Sequence, residues 1–253
     1  MTVPFIDVDE RLDTIPGTDF SLIQKIDGTA FSIDTLLLAS FVQFTPEMLN
    51  AADLGSGSGI LAFLLKYRNT ALQITGFELQ KDFHNLSNRN LELNSQFDGL
   101  FFEAMDIRDI PARILPESYD LVVSNPPYFQ LGNGRLPSNP ARAQARHELN
   151  GTVFNFVEAA SYMLPYGGRF CVIIPTSRHD EISNYMLACK FGIKRKEFII
   201  PKENEEPHLV MLEGEKFYGG ECEIMKPITI HKKDNSFSEE LQNLFTVGLK
   251  KYS

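Results

Sequence analysis

The sequence predicts an α/β fold in which helices cover both faces of a doubly wound, mostly parallel sheet. Short apolar runs alternate with segments of helical periodicity over most of the 253 residues. A glycine-rich turn at 53–59 leads from the first of these strands into a helix. We find no repeat or linker, so we expect one domain over 1–253 with a substantial core.

The chain should open with an irregular segment. Residues 1–30 are acidic and interrupted by prolines and a glycine, which predicts a surface-bound lead-in. A helix is expected over 31–39, where Ser32 or Asp34 caps a strongly apolar run. Pro46 should close this helix region.

Alternation of strands and helices follows. The predicted strands of this part are 51–54, 73–78, 100–104, 119–124 and 169–174. The predicted helices are 60–66, 81–94 and 153–163. Two later strands, 196–200 and 209–213, have no helix between them and therefore predict an antiparallel pair at the sheet edge. A terminal helix is expected within 236–251, with Ser238 as its cap.

Composition limits the possible classes of protein. No charged and apolar leader opens the chain, and no apolar run reaches the roughly 20 residues of a membrane span, so we expect a cytoplasmic protein without a membrane partner. Cys171, Cys189 and Cys222 are odd in number and widely spaced, which argues against disulfides and a zinc site. We therefore expect no metal.

The charge balance bears on partners. A net charge of -9 counts against a large nucleic-acid footprint, because such binding depends on Lys and Arg contacts to phosphates. Two local basic clusters could still form one positive face, and both also fit an ordinary solvated surface. The candidate RNA contacts in these clusters are Arg142, Arg146, His147, Lys194, Arg195 and Lys196.

The glycine turn and the ends of the next two strands predict a nucleoside site. Residues 53–59 read Asp-Leu-Gly-Ser-Gly-Ser-Gly, which matches neither the dinucleotide pattern nor a phosphate-binding loop. Glu78 ends the second strand about twenty residues beyond the turn, where a carboxylate can accept both hydroxyls of a ribose. Asp106 follows the third strand and could meet an adenine amino group, with Leu79 and Ile107 bracketing the ring.

This arrangement resembles the class I S-adenosylmethionine-dependent methyltransferases, whose first motif is an acidic residue followed by Gly-x-Gly-x-Gly. The resemblance implies a Rossmann-like sheet of seven strands and S-adenosylmethionine as methyl donor, with S-adenosylhomocysteine as product. It places the following residues around the donor: Asp53, Gly55, Ser56, Gly57, Gly59, Glu78, Leu79, Asp106, Ile107 and Asn125.

An amine-binding motif, Asn-Pro-Pro-Tyr at 125–128, follows the apolar strand 119–124. The Asn125 side-chain oxygen and the Pro126 carbonyl can accept hydrogen bonds from one exocyclic amino group. Such bonds favour a tetrahedral nitrogen whose lone pair is free to attack a methyl group. Pro127 continues the turn, and the Tyr128 ring can stack on the base that carries the amine.

The Asn-Pro-Pro-Tyr run resembles the motif of amino methyltransferases that act on adenine, cytosine, guanine or glutamine. Further segments are similar to the bacterial tRNA1(Val) adenine-N6 methyltransferase family; they are 31–39, 124–129, 144–148, 203–208 and 233–239. Membership implies tRNA as partner, A37 as target and Asp34 near the donor, and we expect a monomer. Many members have Lys-x-Gly-Thr-Asp-Gly where this chain keeps only Asp34.

Three other functions remain open at this point. A protein glutamine N5-methyltransferase uses the same amine chemistry and fits the acidic composition, although that resemblance would normally bring a helical N-terminal domain. The second is a methyltransferase for another nucleic-acid base, including adenine in DNA. This chain shows no insertion large enough to read the sequence of a DNA duplex. A noncatalytic RNA-binding protein is the third, and an intact amine motif argues against it.

Overall fold

The computed structural model describes residues 6–26, 33–126, 152–245, 249 and 251–252. Its strands are β1 Glu10–Thr14, β2 Ser21–Lys25, β3 Asn50–Leu54, β4 Gln73–Glu78, β5 Leu100–Ala104, β6 Leu121–Ser124, β7 Arg169–Pro175, β8 Phe191–Lys202, β9 Leu209–Lys216, β10 Glu223–Ile224 and β11 Ile228–His231. Its α-helices are α1 Ile33–Phe41, α2 Ile60–Arg68, α3 Lys81–Leu93, α4 Ile110–Arg113, α5 Val153–Met163, α6 His179–Ala188 and α7 Glu239–Asn243. None of the helices in this described part combines the length and apolar character that crossing a membrane requires.

The main sheet has the order β10-β8-β9-β7-β6-β3-β4-β5, and β11 also pairs with β8. The pairs β5–β4, β4–β3, β3–β6 and β6–β7 are parallel, while β9 runs antiparallel to both β7 and β8. The chain leaves β3 toward β5 and then returns to the other side of β3 with β6. This reversal creates a crevice between the carboxyl ends of β3 and β6, where ligands bind in open α/β sheets.

Helices cover both faces, because the strands carry apolar side chains toward each of them. One core contains residues of α1 and α2 and the hairpin β1–β2, together with Leu241 of α7. The other core contains residues of α5 and α6 against the opposite side of β6 and β7. The central strands are consequently buried on both faces. The fold class predicted from the sequence is confirmed.

Several predicted elements agree with the structure to the residue, and others differ. The strands at 73–78 and 100–104 and the helix at 153–163 have the predicted bounds. Ser238 caps α7, accepting a hydrogen bond from the Leu241 amide at 3.0 Å, although the described α-helix covers only Glu239–Asn243. Helix α6 was not predicted.

The antiparallel edge has more strands than predicted. β8 and β9 form the expected pair, but β8 begins at Phe191 and its outer edge carries β10 and β11 in turn. The main sheet therefore has nine strands in the described part of the chain, and the expectation of seven was too low. The two additional short strands cover a long edge that would otherwise expose unpaired backbone groups.

The expectation of an irregular lead-in is wrong for the described residues before position 27, because β1 and β2 form an antiparallel hairpin. Its anchor is Asn90 of α3, which is fully buried. The Asn90 carboxamide oxygen accepts a hydrogen bond from the Ile23 amide at 2.6 Å. Its amide nitrogen donates to the Ile23 and Ser58 carbonyls at 3.1 and 3.0 Å, which joins the hairpin to the glycine turn.

A second anchor of the hairpin is the ion pair between Glu10 and Arg89 of α3. Two hydrogen bonds at 3.0 and 2.8 Å join the guanidinium to the carboxylate. The Glu10 side chain is only 1% exposed. Burial acts to raise the pKa of Glu10, but the hydrogen bonds from Arg89, the Asp7 amide and Lys25 outweigh it and lower the pKa to about 2.

We expect Arg89→Met to lower the free energy of unfolding at pH 7 by about 1–3 kcal/mol, because it leaves a buried carboxylate without its main partner. The folded pKa of Glu10 lies below its unfolded value of 4.5. The pair therefore stabilises the fold fully above pH 4.5, and this contribution is lost as the pH falls toward 2. Urea unfolding at pH 7 and at acidic pH measures the difference, with the exposed-site variant Arg113→Met as control. A difference that does not shrink on acidification contradicts the assignment.

Candidate active site

The glycine turn after β3 is clamped to the end of β4 by its own backbone amides. The amides of Gly55 and Ser56 donate to the Phe77 carbonyl at 2.9 and 3.1 Å. The Gly57 amide donates to a Glu78 carboxylate oxygen at 2.9 Å. All three glycines of the turn have positive φ, which favours glycine. The sequence therefore fixes a tight loop against the carboxyl end of β4.

The three glycines serve different purposes. A Cβ at Gly57 would meet no atom within 4 Å, so its bare backbone faces open space in the cleft. A Cβ at Gly59 would lie 2.5 Å from the Phe102 ring, and one at Gly55 would lie 3.2 Å from the Phe156 ring. Gly59 is therefore needed for packing at the start of α2, whereas Gly57 leaves room for a ligand.

Two carboxylates stand at the ends of β4 and β5. Glu78 is 6% exposed, and its oxygens accept hydrogen bonds from the amides of Gly57 and Gln80 at 2.9 and 2.7 Å. Burial raises the pKa of Glu78 despite these bonds. Asp106 accepts a hydrogen bond from the Arg108 amide at 2.9 Å, and hydrogen bonds from the Arg108 side chain lower the pKa of Asp106. Because a carboxylate oxygen can accept two bonds, Glu78 keeps acceptor capacity, whereas Arg108 already donates two bonds to each oxygen of Asp106.

Asn125 lies one residue beyond β6, next to the glycine turn. The Ser124 hydroxyl donates to the Leu54 carbonyl at 2.8 Å, a buried bond that holds the ends of β3 and β6 together. The Asn125 amide nitrogen donates to the Thr35 hydroxyl of α1 at 3.0 Å. The carboxamide oxygen therefore remains as the acceptor that a ligand amine can use.

A single cleft joins these groups and contains about 670 Å³ of open space. Its lining consists of the turn, the ends of β4 to β6 and one helix: Gly55, Gly57, Phe77, Glu78, Leu79, Gln80, Phe83, Met105, Asp106, Ile107, Asn125 and Phe156. Among these described lining residues there are two carboxylates and no Lys or Arg. Such a cleft suits a nucleoside that carries a positive charge and disfavours a polyphosphate.

The structure brings most predicted donor residues into this cleft. Gly55, Gly57, Glu78, Leu79, Asp106, Ile107 and Asn125 line it. Asp53, Ser56 and Gly59 do not; Asp53 is 1% exposed beneath the turn, and Ser56 packs against Gly76. Asp34 lies in the first turn of α1, beside the Thr35 that contacts Asn125. The predicted residues Pro127, Tyr128, Arg142, Arg146 and His147 lie outside the described residues.

The prediction that Arg195 contacts RNA is wrong. Arg195 is 4% exposed and lies within β8, where its guanidinium pairs with Glu213 and donates to the Phe41 carbonyl at 2.7 Å. Lys194 bonds to Glu215 at 2.5 Å. Lys194 and Lys196 both lie in the first half of β8. The basic cluster that also fitted a solvated surface is thus part of a strand.

Five cleft residues were not predicted: Phe77, Gln80, Phe83, Met105 and Phe156. Met105 stands directly after β5 and before Asp106, so its place at a strand end was a usable signal. Phe156 is buried in the core, yet the same ring borders the cleft. Thr35 was also missed, because its contact with Asn125 joins residues ninety positions apart.

The doubly wound sheet, with a glycine turn at its switch point and carboxylates at the next two strand ends, defines a class I methyltransferase fold. Residues 28–200 match the family model of the methyltransferase small domain, and the chain belongs to this family. It is similar to the tRNA1(Val) (adenine(37)-N6)-methyltransferase of Proteus mirabilis, with 26% identity over 84% of each chain. The protein of the same name from Tolumonas auensis is 32% identical over 63% of this chain and 65% of the relative.

Solved structures agree with this fold. Protein Atu636 from Agrobacterium tumefaciens, described as a predicted O-methyltransferase, aligns with a TM-score of 0.65 at 21% identity, covering 86% of this chain and 97% of that one. The [4+2]-cyclase SpnF aligns with a TM-score of 0.54 at 12% identity, covering 74% and 82%. Because one of these proteins is a cyclase, the likeness shows the fold and leaves the reaction to the residues of the site.

We expect Gly57→Ala and Gly59→Ala to fail in different ways. The alanine at Gly57 should weaken S-adenosylhomocysteine binding at least about tenfold, because it fills the cleft, while the positive φ costs about 1 kcal/mol of stability. The alanine at Gly59 should destabilise the fold more, because its Cβ meets the Phe102 ring. Calorimetric titration and urea unfolding of both variants provide the comparison. If both variants lose the same affinity for S-adenosylhomocysteine and have the same stability, Gly57 and Gly59 do not have the different roles described here.

Asp53 offers a test by pH. Burial raises its pKa to about 8, although a hydrogen bond from the Ala62 amide opposes the shift. The folded carboxyl keeps its proton up to this pH, and the unfolded one loses it near 3.8. The fold therefore loses stability as the pH rises between these values, by about 1 kcal/mol per pH unit.

We expect Asp53→Asn to remove this dependence. Without ligand, the variant should gain stability over the natural protein as the pH rises from 4 toward 8, since the folded and unfolded Asn hold the same charge. Urea unfolding at pH 5 and 7 measures the gain. A constant difference between the two proteins would show that Asp53 ionises normally in the fold.

Proposed function

We propose that the protein transfers a methyl group from S-adenosylmethionine to N6 of adenine in tRNA, with A37 of tRNA1(Val) as the target. The observation that carries this proposal is that Asn125 lines the same cleft as Glu78 and Asp106. An acceptor for an amine and acceptors for a nucleoside therefore share one space. The names of the relatives from Proteus mirabilis and Tolumonas auensis support the tRNA and the nucleotide.

The donor half of the proposal rests on the carboxylates and the turn. Glu78 accepts hydrogen bonds from the two ribose hydroxyls, because the Gly57 and Gln80 amides already hold its carboxylate in place. Asp106 would accept from the adenine amino group of the donor, which would take the place of one of its present bonds from Arg108. Leu79, 38% exposed, and buried Ile107 bracket the donor ring. Bare backbone at Gly57 permits close approach of the ligand, and the family resemblance adds Asp34 beside it.

S-adenosylmethionine, when bound, supplies a methyl group on a positively charged sulfur. No Lys or Arg among the described lining residues opposes this charge, and Glu78 is acidic, whereas the Asp106 carboxylate is already paired with Arg108. Each oxygen of the buried Glu78 carboxylate accepts one amide hydrogen bond and can accept a second from a ribose hydroxyl. The chain's contribution to the donor is therefore binding and orientation.

The acceptor half uses the first two residues of the Asn-Pro-Pro-Tyr run. A purine amino group is a poor nucleophile, because its lone pair is delocalised into the ring. Hydrogen bonds from this group to the Asn125 oxygen and the Pro126 carbonyl favour a tetrahedral nitrogen and free the lone pair for attack. Nitrogen becomes acidic only as the methyl is transferred, so its proton can leave to water without a strong base in the site.

The RNA half of the proposal rests on residues outside the described part. Arg142, Arg146 and His147 would contact the RNA backbone near the amine site, and Tyr128 would stack on a target base turned out of the anticodon loop. With Arg195 excluded and Lys194 paired to Glu215, the second basic cluster contributes little to this surface. Recognition by a small number of cations agrees with the acidic net charge.

The experiment uses S-adenosylmethionine labelled in its methyl group and three separate acceptors. These are unmodified tRNA1(Val) transcript, a peptide release factor and genomic DNA. Nucleoside mass spectrometry should find N6-methyladenosine in the tRNA, and a transcript with guanine at position 37 should lose it. Label in the release factor alone contradicts the proposal and supports glutamine methylation. Label in DNA alone supports methylation of a different nucleic acid.

We expect Asn125→Ala to lower kcat for tRNA methylation about 100-fold or more, because the transition state loses an acceptor aimed at the amine. Binding of S-adenosylhomocysteine should change by less than about threefold, since Asn125 faces the acceptor side. Asn85→Ala, at an exposed position of α3, is the matched control. Full methylation by the Asn125 variant would remove the carboxamide from the mechanism.

A further inference from the structure

The Asn125 carboxamide is held by a residue from a distant part of the chain. Its amide nitrogen donates to the Thr35 hydroxyl at 3.0 Å, and Thr35 is 5% exposed. We infer that Thr35 is a positioning residue, which fixes the carboxamide so that its oxygen faces the target amine. This role rests on the proposed function, because only a reaction at an amine requires the oxygen on that side.

The orientation of the carboxamide decides whether the site works. Oxygen and nitrogen occupy nearly equivalent positions in an Asn side chain, so rotation by half a turn exchanges them. The target amino group must donate hydrogen bonds and keep its lone pair for the methyl group. A rotated Asn125 would present N–H donors to these N–H donors, which is repulsive. The bond to Thr35 occupies the amide nitrogen and leaves the oxygen available.

Thr35 is itself fixed by its surroundings. It lies in the first half of α1 and is followed by the buried residues Leu36, Leu37 and Leu38. A β-branched side chain in a helix has few rotamers, and a buried hydroxyl has little access to water as a competing partner. The Thr35 oxygen is therefore held at one place, and there it accepts the hydrogen bond from the carboxamide nitrogen.

The opposite side of Asn125 is fixed through its backbone. The Ser124 hydroxyl holds the end of β6 against the Leu54 carbonyl at 2.8 Å. This bond locates the Asn125 backbone beside the glycine turn but leaves the side chain free to rotate. Thr35 supplies the remaining constraint. Two hydrogen bonds thus position the carboxamide. The Ser124 bond fixes the backbone next to Asn125, and the Thr35 bond fixes the Asn125 side chain.

Two substitutions separate positioning from packing. Thr35→Val keeps the branched shape and removes the hydroxyl, whereas Thr35→Ser keeps the hydroxyl and removes a methyl group. If the hydroxyl positions Asn125, the valine variant should lose kcat by about 10- to 100-fold, with KM for tRNA and affinity for S-adenosylhomocysteine within about threefold of the natural protein. The serine variant should keep most of kcat. A packing role predicts the opposite order, with serine the more harmful change.

The assay measures methylation of tRNA1(Val) transcript under saturating donor, with thermal unfolding and S-adenosylhomocysteine titration as checks of folding. Should the valine variant fail to fold, Thr35→Ala gives the same comparison with serine. If the natural protein methylates tRNA and the valine or alanine variant has the same kcat, Thr35 does not position Asn125. Absence of methylation by the natural protein overturns the proposed function, and the role of Thr35 falls with it.

Discussion

The hydrogen bond from the Ser124 hydroxyl to the Leu54 carbonyl is the contact on which the site depends. Register between β3 and β6 pairs Asp53 with Val123, after which the two strands diverge. One residue further, Ser124 holds the diverging ends together. The glycine turn follows Leu54, Asn125 follows Ser124, and both line one cleft. A parallel sheet offers such a crevice where its strand order reverses.

Function at this site is accompanied by a loss of stability. Burial raises the pKa of both Asp53 and Glu78, and the charge of Glu78 raises the pKa of Asp53 further. An apolar pair of similar size would be more stable in their place. The proposed ligand, which brings hydroxyl donors into the cleft, accounts for Glu78, whereas Asp53 lies beneath the turn and does not line the cleft. The buried Asn90, which joins the hairpin to the glycine turn, stiffens the same region.

The sequence predicted an element correctly where its hydrophobic periodicity agreed with the turn residues that bound it. The prediction failed where an element or side chain depends on a contact with a residue far away in the sequence. The strands 73–78 and 100–104 were correct to the residue, because Glu78 ends the first apolar run and Asp106 closely follows the second. The hairpin was missed, because its burial depends on Asn90 and Arg89, far along the chain. Arg195 was misassigned, because a basic run predicts a solvated surface, whereas its partner Glu213 stands on the neighbouring strand eighteen residues away. Glu78, Asp106 and Asn125 could be selected from the sequence because strand ends in one sheet share an edge, but the orientation of the Asn125 carboxamide could not.

In our proposal, the donor site at Glu78 and the amine acceptor at Asn125 share one cleft. A crystal structure with S-adenosylhomocysteine bound tests it most directly. We expect the ribose hydroxyls about 2.7 Å from the Glu78 carboxylate, with the ligand sulfur facing the Asn125 oxygen across a space that one amino group can fill. A ligand bound away from Glu78, or an Asn125 side chain separated from the sulfur by packed protein atoms, would contradict the account.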